Sequence, residues 1–290
     1  MRCMRRREFV GTMAAAGVAA AQSQTSSAHH TGRLKQCAMR VNFDAKMPFE
    51  DMCREAARLG VYGFDLVPDK DWPTLRKHGL IPTMGGTGGV TFENGLIRKE
   101  VHDSLEKSMS AYIDLCAANG CESMITVGGQ RRGMSDEEGI ENAAAMLNRV
   151  KAQAEAKGVT IALEIMNSKY ENPALGRHDQ ICDHVAWGAE VCKRVNSPRV
   201  KLLFDIYHVQ IMDGNVCENI RNNFQWISHF HTGGVPGRHE IDDTQELNYR
   251  FLAKTIADLG FTGYIAHEWR PAPGRDGVKD LAQALEIMNV

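Results

Sequence analysis

The chain has 290 residues, of which 43% are hydrophobic and 24% charged, which suits one large α/β domain or two ordinary ones with an ample core. Its formal net charge of −2 gives no electrostatic reason to expect a nucleic-acid partner. No run of about 18 or more apolar residues occurs, so the body of the chain carries no membrane-spanning helix.

Residues 1–32 differ in character from the rest. Arg5, Arg6 and Arg7 precede a mildly apolar run from Phe9 to Ala21 and then a polar spacer, the order of an export signal. The string Arg6-Arg7-Glu8-Phe9-Val10 resembles the twin-arginine signal of bacteria, which points to the periplasm; the alternative is a disordered basic leader on a cytoplasmic protein. The folded domain is therefore placed at 33–290. Of the eight cysteines only Cys3 lies in the leader. The others are scattered without a CxxC pair, several on helix-like stretches (Cys53, Cys116, Cys192), and read as buried free thiols rather than a disulfide framework.

From residue 34 onward apolar, β-rich runs alternate with helical stretches. The strand candidates are Leu34–Phe43, Tyr62–Val67, Leu80–Met84, Glu122–Val127, Val159–Met166, Val200–Tyr207, Trp226–His231 and Phe261–Glu268. The clearest helix lies within Ser135–Gly158, where Ser135 and Glu138 form a capping box and Gly158 is a stop; another lies within Glu246–Gly260. Eight strands alternating with eight helices over about 255 residues predict an α/β fold, a single (β/α)8 TIM barrel. An open doubly wound sheet would want a phosphate loop after its first strand, and VNFDAKMPFED (41–51) contains no glycine. GGTGG (85–89) follows the third strand and reads as a flexible loop at the barrel mouth, within reach of a substrate.

Four of the last strands end in a polar residue. VTIAL ends in Glu164, KLLF in Asp205, WISHF in His231 and FTGYIAH in Glu268. Parallel barrel strands place these ends on one rim, so two glutamates, an aspartate and a histidine are aimed at one point. Three carboxylates together repel one another, and a divalent cation removes that penalty. Oxygen donors with one imidazole suit Mn²⁺ or Mg²⁺ better than Zn²⁺ or copper. His229 shares the face of His231 one layer deeper and reads as a core residue or a support for the ligands.

The segments ALEIMN (162–167), FDIYHVQ (204–210), SHFHTGG (228–234), PGRHEID (236–242) and the stretch from 246 to 271 resemble the xylose-isomerase-like barrel superfamily, in particular its hydroxypyruvate isomerases and ketose 3-epimerases. The resemblance implies a metal held by Glu164, Asp205, His231 and Glu268, with the two glutamates as acid and base and His208 touching substrate oxygens. It implies isomerisation of a small carbohydrate or keto acid through an enediolate, with hydroxypyruvate giving tartronate semialdehyde, and a homodimer or homotetramer. A substrate carboxylate would need a cation, for which Arg270 and Arg238 are the candidates. Sugar 3-epimerases carry an arginine about six residues after their histidine, a region occupied here by Pro236 and Gly237, which speaks against that activity.

The competing readings are an epimerase, lyase or dehydratase with the same ligands, and a non-catalytic, metal-stabilised sugar-binding protein. A DNA-repair endonuclease of related barrel type would need several metals and more ligands on the first four strands, which Asn42, Asp65, Thr87 and Thr126 do not supply.

Overall fold

Eight short strands run parallel in a computed structural model that describes residues 32–169 and 179–290; the predicted leader lies outside the described residues. They are β1 (Lys35–Cys37), β2 (Gly63–Asp65), β3 (Ile81–Met84), β4 (Ser123–Thr126), β5 (Thr160–Glu164), β6 (Val200–Asp205), β7 (Ile227–Thr232) and β8 (Tyr264–His267). Ladders join β1-β8-β7-β6-β5-β4 and β2-β3. Single parallel bridges, Ala38 with Phe64 and Gly85 with Met124, link the two sets into a closed ring. Closure leaves no sheet edge to pair with another chain.

Nine α-helices lie among the described residues: α1 (Phe49–Leu59), α2 (Trp72–Lys77), α3 (His102–Ala118), α4 (Asp136–Lys157), α5 (Val185–Val195), α6 (Ile206–Met212), α7 (Val216–Asn223), α8 (Tyr249–Asp258) and α9 (Gly277–Ile287). Every strand candidate holds one strand, with β7 running one residue past its expected end at His231, and the expected barrel is the fold. Among the helices, α4 follows the expected caps: the Ser135 hydroxyl accepts from Glu138 N–H, and Gly158 ends the helix in the left-handed region at φ 70°. The helix expected over Glu246–Gly260 starts later, because the Asn248 side chain accepts from Phe251 N–H and so becomes the N-cap. The crossover from β6 to β7 holds two helices, α6 and α7, which accounts for nine rather than eight. None of the described helices is long and apolar enough to cross a membrane.

Strand alternation divides the core in two. Outward residues such as Ile161, Leu163, Leu202, Phe204, Phe230 and Ile265 pack under the helices, while Met84, Ile125, Ala162 and Leu203 fill the barrel interior. The seven cysteines among the described residues are all unpaired, six of them buried, as hydrophobic packing predicts.

At Gly63 the strands β2 and β3 approach so closely that a Cβ would stand 1.9 Å from the Ile81 carbonyl oxygen. Gly63→Ala is expected to destabilise the protein by at least about 1–3 kcal/mol, the usual range for overpacking. A fall in the urea midpoint at unchanged slope would register it; an unshifted midpoint would mean that β2 can move off β3 freely.

Candidate active site

The period of two that sends Leu163, Phe204, Phe230 and Ile265 outward sends their neighbours into the barrel. On β5, β6, β7 and just past β8 the last inward residues are Glu164, Asp205, His231 and Glu268, and all but the half-buried Glu268 are buried. Asp205 and His231 are register partners across β6 and β7. One ligand-type atom from each of the four residues lies within 4.8 Å of the others. His231 Nδ1 stands 2.6 Å from Glu268 Oε2 and 3.9 Å from both Glu164 Oε1 and Asp205 Oδ2.

Asp205 serves two structures at once. Its Oδ1 accepts from His208 N–H at 3.2 Å as the N-cap of α6, and its Oδ2 faces the cluster. The chain therefore turns helical at Ile206, one residue after the carboxylate, which is why β6 stops short of Tyr207. The same turn buries His208 beside the site.

Arg238 enters from the loop after β7. Gly237 (φ 92°) and Arg238 (φ 55°) both adopt left-handed backbone, and Arg238 N–H donates to Gly234 O at 2.8 Å. The guanidinium donates through Nη2 to Asp205 Oδ2 (2.5 Å), lies 2.7 Å from Glu268 Oε2 through the same nitrogen, and donates through Nε to the Glu268 carbonyl (2.9 Å). Its Nη1 lies 2.7 Å from His208 Nε2. A guanidinium can only donate, so His208 Nε2 accepts and the ring proton sits on Nδ1. That nitrogen lies 2.6 Å from Asn167 Nδ2, and with the amide turned so that its oxygen faces the ring it donates to Asn167.

The charges do not balance evenly. Burial pushes the Glu164 carboxyl up, the Glu268 and Asp205 carboxylates push it further, and it reaches about 8. Burial acts the same way on Glu268, but Arg238 and His231 outweigh it and hold that carboxyl well below the usual range. Against its own burial, His231 is raised well above the ordinary imidazole range by Glu268 and Asp65. His231 Nδ1 and Glu268 Oε2 are close but misaligned, and each is buried without a hydrogen-bond partner of good geometry. Polar atoms that converge on a point without bonding each other fit ligands of a shared cation, which would take the place of the Nδ1 proton of His231, as does a carboxylate left short of positive charge.

The backbone around Glu268 is clamped. Asn42, wholly buried, donates to the carbonyls on either side of it, His267 O (2.7 Å) and Trp269 O (3.0 Å), and accepts from Met39 N–H (2.7 Å). The outward His267 stays neutral, burial lowering its pKa to about 3. It accepts at Nδ1 from Thr232 Oγ1 (3.0 Å) and donates from Nε2 to Gln36 Oε1 (3.1 Å), tying β8 to both neighbouring strands.

A sequence profile described as xylose isomerase-like TIM barrel matches residues 53–289. This chain belongs to that family. The 2-oxo-tetronate isomerase of Cupriavidus necator is 36% identical over 137 residues, 47% of this chain and 48% of that protein. A Danio rerio protein provisionally named a hydroxypyruvate isomerase is 34% identical over 132 residues, 46% of this chain and 44% of that one. The aligned stretches thus span about half the length of these relatives. A crystal structure described as AP endonuclease, family 2, from Brucella melitensis superposes with a TM-score of 0.76 at 23% identity, covering 86% of this chain and 97% of that one, a likeness of fold.

In this member of the xylose isomerase-like family, Glu164, Asp205, His231 and Glu268 come together as the strand ends suggest, with His208 and Arg238, expected on other grounds, beside them. Arg270 does not join them. The pleat ends at His267, Trp269 turns into the core, and Arg270 is exposed in a separate groove of about 990 Å³ with Arg40, Phe43 and Phe49. Only its backbone touches the Arg238 loop, through Arg238 O and the His239 ring. Seven residues after His231, Arg238 stands at the cluster. Asn42 and Asp65 were noted near the first strand ends only to be set aside as metal ligands, and Thr83 and Asn167 were not anticipated at the site. Asp65 carried the same signal as the others, an apolar strand ending in a carboxylate, and Asn167 lies inside the quoted ALEIMN; Asn42 and Thr83 carried none.

Removing the Asn42 amide strands two buried carbonyls. Asn42→Ala is expected to cost about 1–3 kcal/mol for each group left unpaired, read by urea denaturation. Wild-type stability in this variant would show that water replaces the amide and that the clamp on Glu268 is not structural.

Proposed function

We propose that the protein is a metal-dependent isomerase that moves a proton between adjacent carbons of a small α-hydroxy keto acid or sugar. Hydroxypyruvate, giving tartronate semialdehyde, and 2-oxo-tetronate are the substrates its relatives' names suggest. The reading is carried by the convergence of Glu164 and Glu268 with Asp205 and His231, all four donor atoms within 4.8 Å. These four residues would hold one divalent ion, Mn²⁺ or Mg²⁺ by the preference of oxygen donors with one imidazole, supplying Lewis-acid stabilisation of negative charge on substrate oxygen.

The chain's own groups do the rest. One of the two glutamates takes the proton from the carbon beside the carbonyl, and the other returns a proton to its neighbour, so that an enediolate forms and collapses; a positioned base of this kind is worth about two to four orders of magnitude. Asp205 and His231 keep their places without exchanging protons with substrate. His208, fixed between Asn167 and Arg238, and the partly exposed Arg238 guanidinium face the side from which substrate oxygens approach. A substrate carboxylate pairs with Arg238 by exchange of one of its present contacts, because Arg238 is the arginine at the cluster.

A second reading, epimerisation of a ketose with the same proton transfer, gains support from Arg238, which fills the arginine role that the residue count had denied. The export of the protein through its Arg6-Arg7 leader is likewise proposed; residues 1–20 intact on protein from the native periplasm would sink it.

The main test is deuterium uptake from D₂O into hydroxypyruvate, 2-oxo-tetronate and a set of ketohexoses with Mn²⁺-loaded protein. Label at the carbon next to the carbonyl with wild type, absent with Glu268→Gln, supports enolisation, and the product separates isomerase from epimerase. No uptake by protein with bound metal would favour a sugar-binding protein. On an acidic substrate, Arg238→Met is expected to lower kcat/KM about 10- to 100-fold, the worth of a charge-assisted hydrogen bond. Arg270→Met should leave KM unchanged, and a rise there would return the carboxylate contact to Arg270.

A further inference from the structure

Beneath the four-residue cluster lies a second one, Asp65, His229 and His231, all buried. Asp65 Oδ2 stands 3.0 Å from His231 Nε2 and 2.7 Å from His229 Nε2, and Thr83 Oγ1 donates to Asp65 Oδ1 at 2.5 Å. These spacings decide between a second ion and a hydrogen-bonded support. Ligands at about 2.0–2.1 Å from a tetrahedral metal would lie about 3.3 Å apart. The 3.0 Å contact to His231 is a hydrogen bond, and the 2.7 Å contact to His229, close but not aligned as one, is likewise shorter than the separation of two ligands on one ion.

The backbone is bent to make this contact. The register between β2 and β3 slips between Phe64 and Asp65, so that Thr83 is the extra residue opposite Asp65. The next residue, Leu66, takes φ 56°, a left-handed conformation that is costly for a side chain of its size. Bulges and left-handed non-glycine residues of this kind recur where a side chain must be re-aimed at a functional site.

We propose that Asp65 is the positioning residue of the site. Its Oδ2 accepts the Nε2 proton of His231 and so turns the imidazole with Nδ1 facing Glu164, Asp205 and Glu268. Thr83 holds the Asp65 carboxylate from below by a hydrogen bond, and the His229 ring stands against it at 2.7 Å. The inference rests on the metal reading above and deepens it: a ligating imidazole must present a bare nitrogen, and a carboxylate on the opposite nitrogen selects which one.

The test is Mn²⁺ affinity by electron paramagnetic resonance for wild type, Asp65→Asn and Asp65→Val. It is paired with the nitrogen-bound ring-proton signals of ¹⁵N-histidine-labelled protein with Mg²⁺, assigned through His231→Gln. Wild type is expected to show a slowly exchanging Nε2 proton on His231. Affinity should fall about 100-fold in Asp65→Val and about 10-fold in Asp65→Asn, which keeps an acceptor but not the charge, within the 10- to 100-fold usual for such partners. Asp65→Asn also serves should the valine variant fail to fold. Unchanged affinity in Asp65→Asn and Asp65→Val, or a His231 proton on Nδ1 in Mg²⁺-bound wild type, would overturn the proposal. Wild type that binds no Mn²⁺ but keeps the slow Nε2 proton would instead sink the metal centre and leave Asp65 as the anchor of His231.

Discussion

Four carboxylates share the upper interior of one barrel, and the rest of the site is arranged around the cost of keeping them there. A buried charge without a partner costs several kcal/mol even after relaxation, a large part of a domain's net stability. Asp65 is met by two imidazoles and a hydroxyl, Asp205 by Arg238 and the start of α6, and Glu268 by Arg238 and His231. Glu164 has only weak shares in those cations and is the carboxyl driven upward. The protein therefore gives three of the four carboxylates close donors of its own, shared between them, and leaves Glu164 without one. The proposal of a divalent ion rests in part on that imbalance, which is a property of this chain's own residues.

The residues that meet at this point are held in two different ways. Glu164, Asp205 and His231 stand on strands whose ladders fix them, whereas Glu268 lies one residue beyond the end of β8 and needs Asn42, Thr232 and Arg238 to hold its backbone. Arg238 in turn depends on a short turn of left-handed residues after β7. Its guanidinium thus answers both to the backbone and to the carboxylate of Glu268. A group on a loop, bonded to the strand-held cluster through several exchangeable contacts, is suited to trading one of them for a substrate oxygen while the ligands stay fixed.

What the sequence made legible follows from periodicity. All eight strands were visible as apolar runs, and the four positions that converge were visible because each of the last four runs breaks to a polar residue at its C-terminal end, and parallel strands put those ends on one rim. The same rule misplaced Arg270. Two residues beyond Glu268 it would share its face if the strand continued, but β8 ends at His267 and the chain leaves the pleat. Asp65 was passed over for the opposite reason. Its run ends in a carboxylate like the others, yet the bulge at Thr83 and the left-handed Leu66 that aim it at His231 are properties of two strands paired together and have no sign in either strand alone. Asn42 acts across 225 residues of chain, a separation no local pattern reports.

The spacing Asp205-x-x-His208 shows how a motif can be a consequence of geometry. An N-cap side chain reaches the backbone N–H three residues on, so an aspartate that ends a strand and starts a helix fixes the residue at that third position. The positive end of α6 also favours the carboxylate's negative charge. Once Asp205 is required at the cluster, the first turn of α6 determines where the side chain of residue 208 emerges, which is beside the same cluster and within reach of Arg238. One extra residue between them would lose the cap and swing the imidazole away by roughly 100°, the rotation per residue of an α-helix. The strand end, the cap and the histidine form one unit, and that is why a buried strand can end in an aspartate at all.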